Sequence, residues 1–256
     1  MRTDRGVRAR FRRPAPTVRG RARRLAAAFL LAASALAPFA LASCSPAPPA
    51  VRVLLIGNSF TAQNGGIGAQ LERLAPTVRT ESVVVGGSTL ANHWTNGTAL
   101  QRIRSGGWDF VVLQEQSVTP VASTSDFYQY GQSFGSEIAL AGARSVLLMT
   151  WERPDTVYAG VTTERLASAY DGLGRLIGAK VAPAGRAFAA SLKERPDVAL
   201  NIQDGHPTPY GTYLAACVLY GSLFEKTPLG NVASDPSVPP ELQAYLQRIA
   251  ASALGY

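Results

Sequence analysis

Little in this chain could hold a metal or staple a fold. It has two cysteines, Cys44 and Cys217, and two histidines, His93 and His206, with no HExxH or CxxC spacing. Two thiols cannot build a disulfide framework and two isolated imidazoles cannot supply a His-rich centre, so a zinc or haem protein is disfavoured and no metal or cofactor is implied. A basic face is missing as well. The formal net charge of +8 is concentrated at one end: residues 1–43 hold ten arginines against the single acid Asp4, which leaves 15 bases and 16 acids in residues 44–256. A nucleic-acid binder needs clustered Lys and Arg to displace phosphate counterions, and no such cluster lies beyond residue 43, so nucleic acid is not an expected partner. Neither GxxxxGK[ST] nor GxGxxG follows the first apolar run, which removes the usual support for a nucleotide.

What is present begins with an export signal. Arg-rich residues 2–24 precede an apolar run from Leu25 to Leu41, interrupted by Ser34 and Pro38, and the run ends in Leu41-Ala42-Ser43-Cys44. This resembles the bacterial lipoprotein signal, whose cysteine is acylated and becomes the new N-terminus. The resemblance implies a signal peptide over 1–43, a lipid-anchored linker over 44–50 and a domain over 51–256, exported to the cell envelope and held to a membrane through Cys44. The Pro-rich stretch 45–50 suits a short tether. A plain secretory peptide with an incidental cysteine, or an uncleaved anchor of about 17–19 residues, are the alternatives.

From Val51 onward short apolar runs alternate with helix-like stretches. Residues 51–57, 81–87, 109–114, 145–151 and 180–185 are β-branched and apolar on both faces, as strands of a sheet covered on both sides must be. Helices are expected between them over 68–74, 90–105, 125–143 and 162–177, with two more over 210–224 and 241–254. This alternation predicts a single three-layer α/β/α sandwich around a parallel, flavodoxin-like sheet. Ligands of such sheets lie at the carboxyl ends of the strands. Those ends carry Gly57-Asn58-Ser59-Phe60-Thr61, Gly86-Gly87-Ser88-Thr89, Gln114-Glu115-Gln116-Ser117 and Trp151-Glu152-Arg153.

Four blocks in series carry a family resemblance: VLLIGNSFT at 53–61, the glycine pair at 86–87, WDFVVLQEQS at 108–117 and DGHPTPYGTYLAA at 204–216. Together they resemble the SGNH (GDSL-like) hydrolases, and within them a GNSFT-bearing branch. The resemblance implies a serine after the first strand as nucleophile, a late histidine as general base and three donors forming an oxyanion hole. On that basis Ser59 is the candidate nucleophile and His206 the candidate base. The competing readings are a helix N-cap for Ser59 and a structural loop histidine for His206. The block usually reads Asp-x-x-His, but here Gln203 stands three residues before His206 and the acid, Asp204, two before. Either Asp204 orients the imidazole, or Gln203 or a backbone carbonyl does.

The resemblance assigns the oxyanion hole to the Ser59 N–H, the Gly87 N–H and the Gln114 side-chain amide, in place of the family's usual asparagine; a plain strand-ending turn is the alternative for Gly86-Gly87. Asn58 braces the turn or touches substrate, and His93 lines the cleft or occupies a surface or capping position. Cys217 reads as core packing. Trp108, Trp151 and Tyr210 fit a sugar site or the core equally well, and Glu152 with Asp155 could imitate a glycosidase carboxylate pair. The function expected is a metal-independent serine esterase of short acyl groups, acetyl first, on small-molecule or glycan esters. A non-catalytic, lipid-anchored binding module on the same fold is the competing class. Oligomeric state has no sequence signature.

Overall fold

A computed structural model describes residues 50–233 and 235–256. The segment 1–43, Cys44 and all of the linker except Ala50 lie outside the described residues. In chain order the elements are β1 (Val51–Gly57), α1 (Ser59–Ala62), α2 (Ile67–Leu74), β2 (Val78–Val84), α3 (Leu90–Asn96), α4 (Thr98–Arg104), β3 (Phe110–Leu113), α5 (Thr119–Ala122), α6 (Thr124–Leu140), β4 (Arg144–Leu148), α7 (Thr163–Ile177), β5 (Lys180–Ala182), α8 (Ala184–Glu194), α9 (Pro209–Phe224) and α10 (Pro240–Leu254). All strand pairings are parallel, in the order β2-β1-β3-β4-β5.

Alternation along β1 divides the core. Val53 and Leu55 face one layer with Leu71, Phe188, Leu214 and Ile249, so α2, α8, α9 and α10 cover that side. Leu54 and Ile56 face the other, with Leu90, Ile103, Phe134 and Leu173, so α3, α4, α6 and α7 cover it. The four residues Val53–Ile56 are at most 1% exposed, which explains why the strand reads as an unbroken apolar run. Helix α9 is apolar all round because its surroundings are: Thr212–Leu219 are buried throughout. Cys217 lies there at 0% exposure, its thiol pushed up to about 12 by burial, and is core as expected. Among the described residues no helix is long and apolar enough to cross a membrane.

Several boundaries differ from the sequence expectation. Strand β2 spans Val78–Val84, not 81–87, because Val78 pairs with Val51 and Gly87, at φ +66°, cannot extend a strand. The stretch 90–105 is two helices, broken at Gly97 (φ +81°). Strand β4 ends at Leu148, which releases Trp151 into the core. Strand β5 has only three residues, since 184–194 form a helix the apolar pattern does not announce. The consequence for function is positional. β1 and β3 are neighbours, yet the chain leaves them toward opposite layers, and a crevice opens at their carboxyl ends.

Candidate active site

The first wall of the crevice is the turn after β1. Asn58 is extended (φ −128°, ψ −156°) and caps α1: its Oδ1 accepts from Phe60 N at 3.1 Å while its Nδ2 donates to the Ser88 carbonyl at 3.1 Å. Ser59 is therefore the first residue of a short helix. Its N–H has no acceptor within the helix, and no other acceptor among the described residues takes it. Beneath the turn, Gln114 Oε1 accepts from Asn58 N at 2.9 Å and from Thr61 Oγ1 at 2.8 Å. A Cβ at position 57 would lie 2.5 Å from that oxygen, so only glycine lets the turn sit on Gln114.

The second wall is the loop before α9. The His206 carbonyl accepts from Ile202 N, and Gly205, at φ +85°, reverses the chain. His206 Nε2 lies 2.8 Å from Ser59 Oγ, and its Nδ1 lies 3.0 Å from Asp204 Oδ1. The same Oδ1 accepts the His206 backbone N–H at 3.1 Å. The minus-two spacing thus lets one carboxylate oxygen bind both nitrogens of its neighbour, and it is Asp204, not Gln203, that meets the ring. The backbone N–H and then the imidazole hold the Asp204 carboxyl below its ordinary range. An ionised Asp204 accepts from Nδ1–H, which leaves the Nε2 lone pair facing the serine hydroxyl. Aromatic packing supports the loop from below. Trp151 Nε1 donates to the Gly205 carbonyl at 2.8 Å, and its ring stacks on Phe60 (5.0 Å) and Phe188 (4.1 Å). Phe60 in turn meets the His206 ring edge-on at 5.3 Å.

The third wall comes from the loops after β2, β3 and β4. Gly87 has nothing within 4 Å of where a Cβ would stand, and its N–H is bonded to no backbone acceptor among the described residues. Gln116 Oε1 accepts from Val118 N at 2.8 Å, which leaves the Nε2 amide without an acceptor among the described residues. Arg153 donates to Ser117 Oγ at 3.2 Å and grips Asp155 through Nε and Nη2 at 2.9 and 2.5 Å, holding the Asp155 carboxyl below its ordinary range. The cavity enclosed by Ser59, Gly87, Gln116, Arg153 and His206 is about 300 Å³.

The structure brings Ser59, Asp204, His206, Gly87 and Asn58 together around this cavity. It keeps two expected residues out. Gln114 is 1% exposed and its Nε2 donates to the Glu115 carbonyl at 2.5 Å, so its amide is spent on the turn and does not reach the cavity. His93 is neither on the surface nor in the cleft: it is 2% exposed, its Nε2 is 2.8 Å from the Gly57 carbonyl, and burial lowers its pKa so that the neutral ring donates there. Trp108 and Trp151 are core, and Tyr210 packs against the core. Of the two candidate glycosidase carboxylates, Glu152 accepts from Thr163 N at 2.8 Å and Asp155 is gripped by Arg153, so each is engaged by a different partner. Gln116 and Arg153 are the residues that sequence reasoning passes over. Nothing in the string Gln114-Glu115-Gln116 tells its amides apart; their hydrogen-bond partners do.

No protein-family profile and no curated protein matches the sequence. Solved structures do. A protein of Slackia heliotrinireducens classed with the SGNH hydrolases is 31% identical, with a TM-score of 0.61 over 68% of this chain and 99% of the other. A DUF4886 family protein from Bacteroides uniformis gives a TM-score of 0.64 at 17% identity over 81% and 96% of the two chains. An acetyl-xylooligosaccharide esterase from a Geobacillus gives 0.54 at 14% identity over 69% and 95%; these last two are similar in fold.

Proposed function

Because the chain belongs to the SGNH hydrolase family, we propose that it is a serine carboxyl-ester hydrolase, acting on short acyl esters, acetyl first, of hydroxylated alcohols such as carbohydrates. The observation that carries this reading is the line Ser59 Oγ, His206 Nε2, His206 Nδ1, Asp204 Oδ1, with gaps of 2.8 and 3.0 Å on either side of the ring. Ser59 Oγ attacks the ester carbonyl as His206 Nε2 takes its proton. Asp204 steadies the imidazolium, which then protonates the departing alkoxide. The oxyanion of the tetrahedral intermediate takes the N–H groups of Ser59 and Gly87 and the Nε2 amide of Gln116, the role the sequence resemblance gives to Gln114. Water activated by His206 releases the acid and restores Ser59.

Substrate size follows from the cavity. About 300 Å³ lies at the lower end for ligand sites, and the walls are mostly polar, Phe60 being the apolar exception. An acetyl group fits such a space and a hydroxylated leaving group suits its lining, whereas a long acyl chain would leave apolar surface against Gln116, Ser117 and Arg153. Against a non-catalytic binding module stands the contact of Asp204 with the ring, made from the minus-two position. Envelope location with lipidation at Cys44 remains part of the proposal, supported by the leader. Loss of fatty-acid incorporation in Cys44→Ala is its test.

The deciding experiment is hydrolysis of an aryl acetate by the full chain in detergent, beside Ser59→Ala and His206→Ala. Both variants are expected to fall at least about 1000-fold, and a fluorophosphonate is expected to add one adduct, at Ser59. Undiminished hydrolysis by Ser59→Ala overturns the reading.

A further inference from the structure

The mechanism above leaves one buried carboxylate unused. Glu115 follows β3, is 1% exposed, and sits between the loops that carry two of the proposed oxyanion donors. Its Oε1 accepts from Gln116 N at 2.6 Å, and both its oxygens accept from Leu90 N, at 3.2 and 3.3 Å. Leu90 is three residues past Gly87, at the start of α3. Neither Gly87 nor Gln116 is held by the sheet: β2 ends at Val84 and β3 at Leu113. The polar restraints on those loops include the Thr89 capping box on Asn92, the Asn58 amide on Ser88 O, the Val118 N–H on Gln116 Oε1, Arg153 on Ser117 Oγ, and Glu115. Among the hydrogen bonds of the described residues, those of Glu115 alone join the two loops directly to each other.

We propose that Glu115 is a positioning residue, whose carboxylate ties Leu90 N to Gln116 N and so sets the separation between the Gly87 N–H and the Gln116 amide opposite Ser59. The proposal rests on the esterase reading for its consequence in catalysis, and on hydrogen bonds alone for the clamp itself. A burial cost as large as this is not needed for a simple turn, where a serine or asparagine would bond the same N–H groups without a charge. What a carboxylate adds is strength: it accepts from both N–H groups as charge-assisted bonds, and the pair stiffens only while it is ionised.

The surroundings make that ionisation labile. Burial pushes Glu115 up to about 7, against the pull of the Gln116 and Leu90 N–H groups, and the charge of Asp126 from α6 pushes the same way. From α7 the phenol of Tyr170 lies against the Glu115 backbone, its own pKa raised by burial. Near neutral pH the clamp therefore exchanges a proton, and below it the carboxylic acid holds the loops less firmly.

The test compares the full-length parent with Glu115→Gln and Ser59→Ala. Hydrogen exchange at pH 8 is read in peptides covering 85–92 and 113–119, and aryl acetate hydrolysis is read from pH 5 to 9. Glu115→Gln is expected to lose about tenfold or more protection in both segments together and to lower kcat about 10- to 100-fold with KM within about twofold. Its acid limb of kcat/KM is expected to follow one proton where the parent follows more than one. Unchanged protection in both segments overturns the clamp, whatever the activity. Ser59-dependent hydrolysis that is equal in Glu115→Gln and parent, with the same acid limb, overturns its role in the reaction. Failure of the esterase reading shows separately, as hydrolysis that Ser59→Ala retains.

Discussion

Asp204 Oδ1 binds two nitrogens of His206 at once, Nδ1 at 3.0 Å and the backbone N at 3.1 Å. The turn closed by the backbone bond is what aims the carboxylate at the ring, so the i, i+2 spacing places the acid where a longer spacing would need a different loop. The Asp204 side chain is 58% exposed, and water competes for the charge. In Asp204→Asn the amide oxygen can still close the turn, but the imidazolium loses its counter-charge. We expect kcat on an aryl acetate to fall about 100-fold, short of the roughly 10⁴-fold seen for a buried triad acid. A loss under threefold would show that the ring is oriented by something else.

Gln114 and Gln116 should separate cleanly under mutation. Gln114→Ala leaves Asn58 N and Thr61 Oγ1 without their acceptor beneath the turn. Urea denaturation should register a loss of about 2–4 kcal/mol, since each buried donor left unpaired costs roughly 1–3 kcal/mol. Gln116→Ala should change stability by less than about 1 kcal/mol and lower kcat about 100- to 1000-fold, as the loss of one oxyanion donor does. The reverse pattern would return the oxyanion role to Gln114.

His93 and Glu115 pull the pH dependence of stability in opposite directions. His93 has a folded pKa below its ordinary 6.5, so the unfolded chain binds the extra proton and stability falls as pH drops below about 6.5. Glu115 has a folded value of about 7 against 4.5, so the native state keeps a proton the unfolded chain has lost, and stability falls as pH rises from about 4.5 to 7. Relative to the parent, Glu115→Gln should lose more stability on acidification from pH 6.5 to 5, and His93→Asn should lose more on going from pH 5 to 7. Denaturation midpoints across that window check both signs.

Trp151 links the core to the loop that carries His206 through its Nε1 bond to the Gly205 carbonyl. Trp151→Phe keeps an aromatic between Phe60 and Phe188 but leaves that carbonyl unpaired. The expected cost is about 1–2 kcal/mol in stability. A severalfold lower kcat is expected beside it, because the displaced loop carries His206 and moves its Nε2 from the Ser59 hydroxyl.

Local chemistry made part of this molecule readable without coordinates. The apolar runs marked five strands because a sheet covered on both faces needs apolar residues on both, and glycine, asparagine and serine after β1 marked a tight strand-to-helix turn. At the start of α9 the Thr208 hydroxyl caps the helix and Pro209 stands at its first turn, signals that likewise act within one helical turn. So the sandwich, the serine and the histidine were legible as residues close in sequence to the feature that reveals them. What remained hidden depended on partners far along the chain. Gln114 turns from the cavity because Asn58 and Thr61, more than 50 residues earlier, offer it two donors. His93 is drawn inward because its ring finds the Gly57 carbonyl, 36 residues back, as a partner in the core. Strand β2 starts at Val78 because Val51 is its neighbour, not because of its own apolar pattern. A strand or a cap is decided by a few adjacent residues, whereas the direction of a polar side chain is decided by whichever donors and acceptors the folded chain brings within about 3 Å of it, and the sheet order alone brings these together.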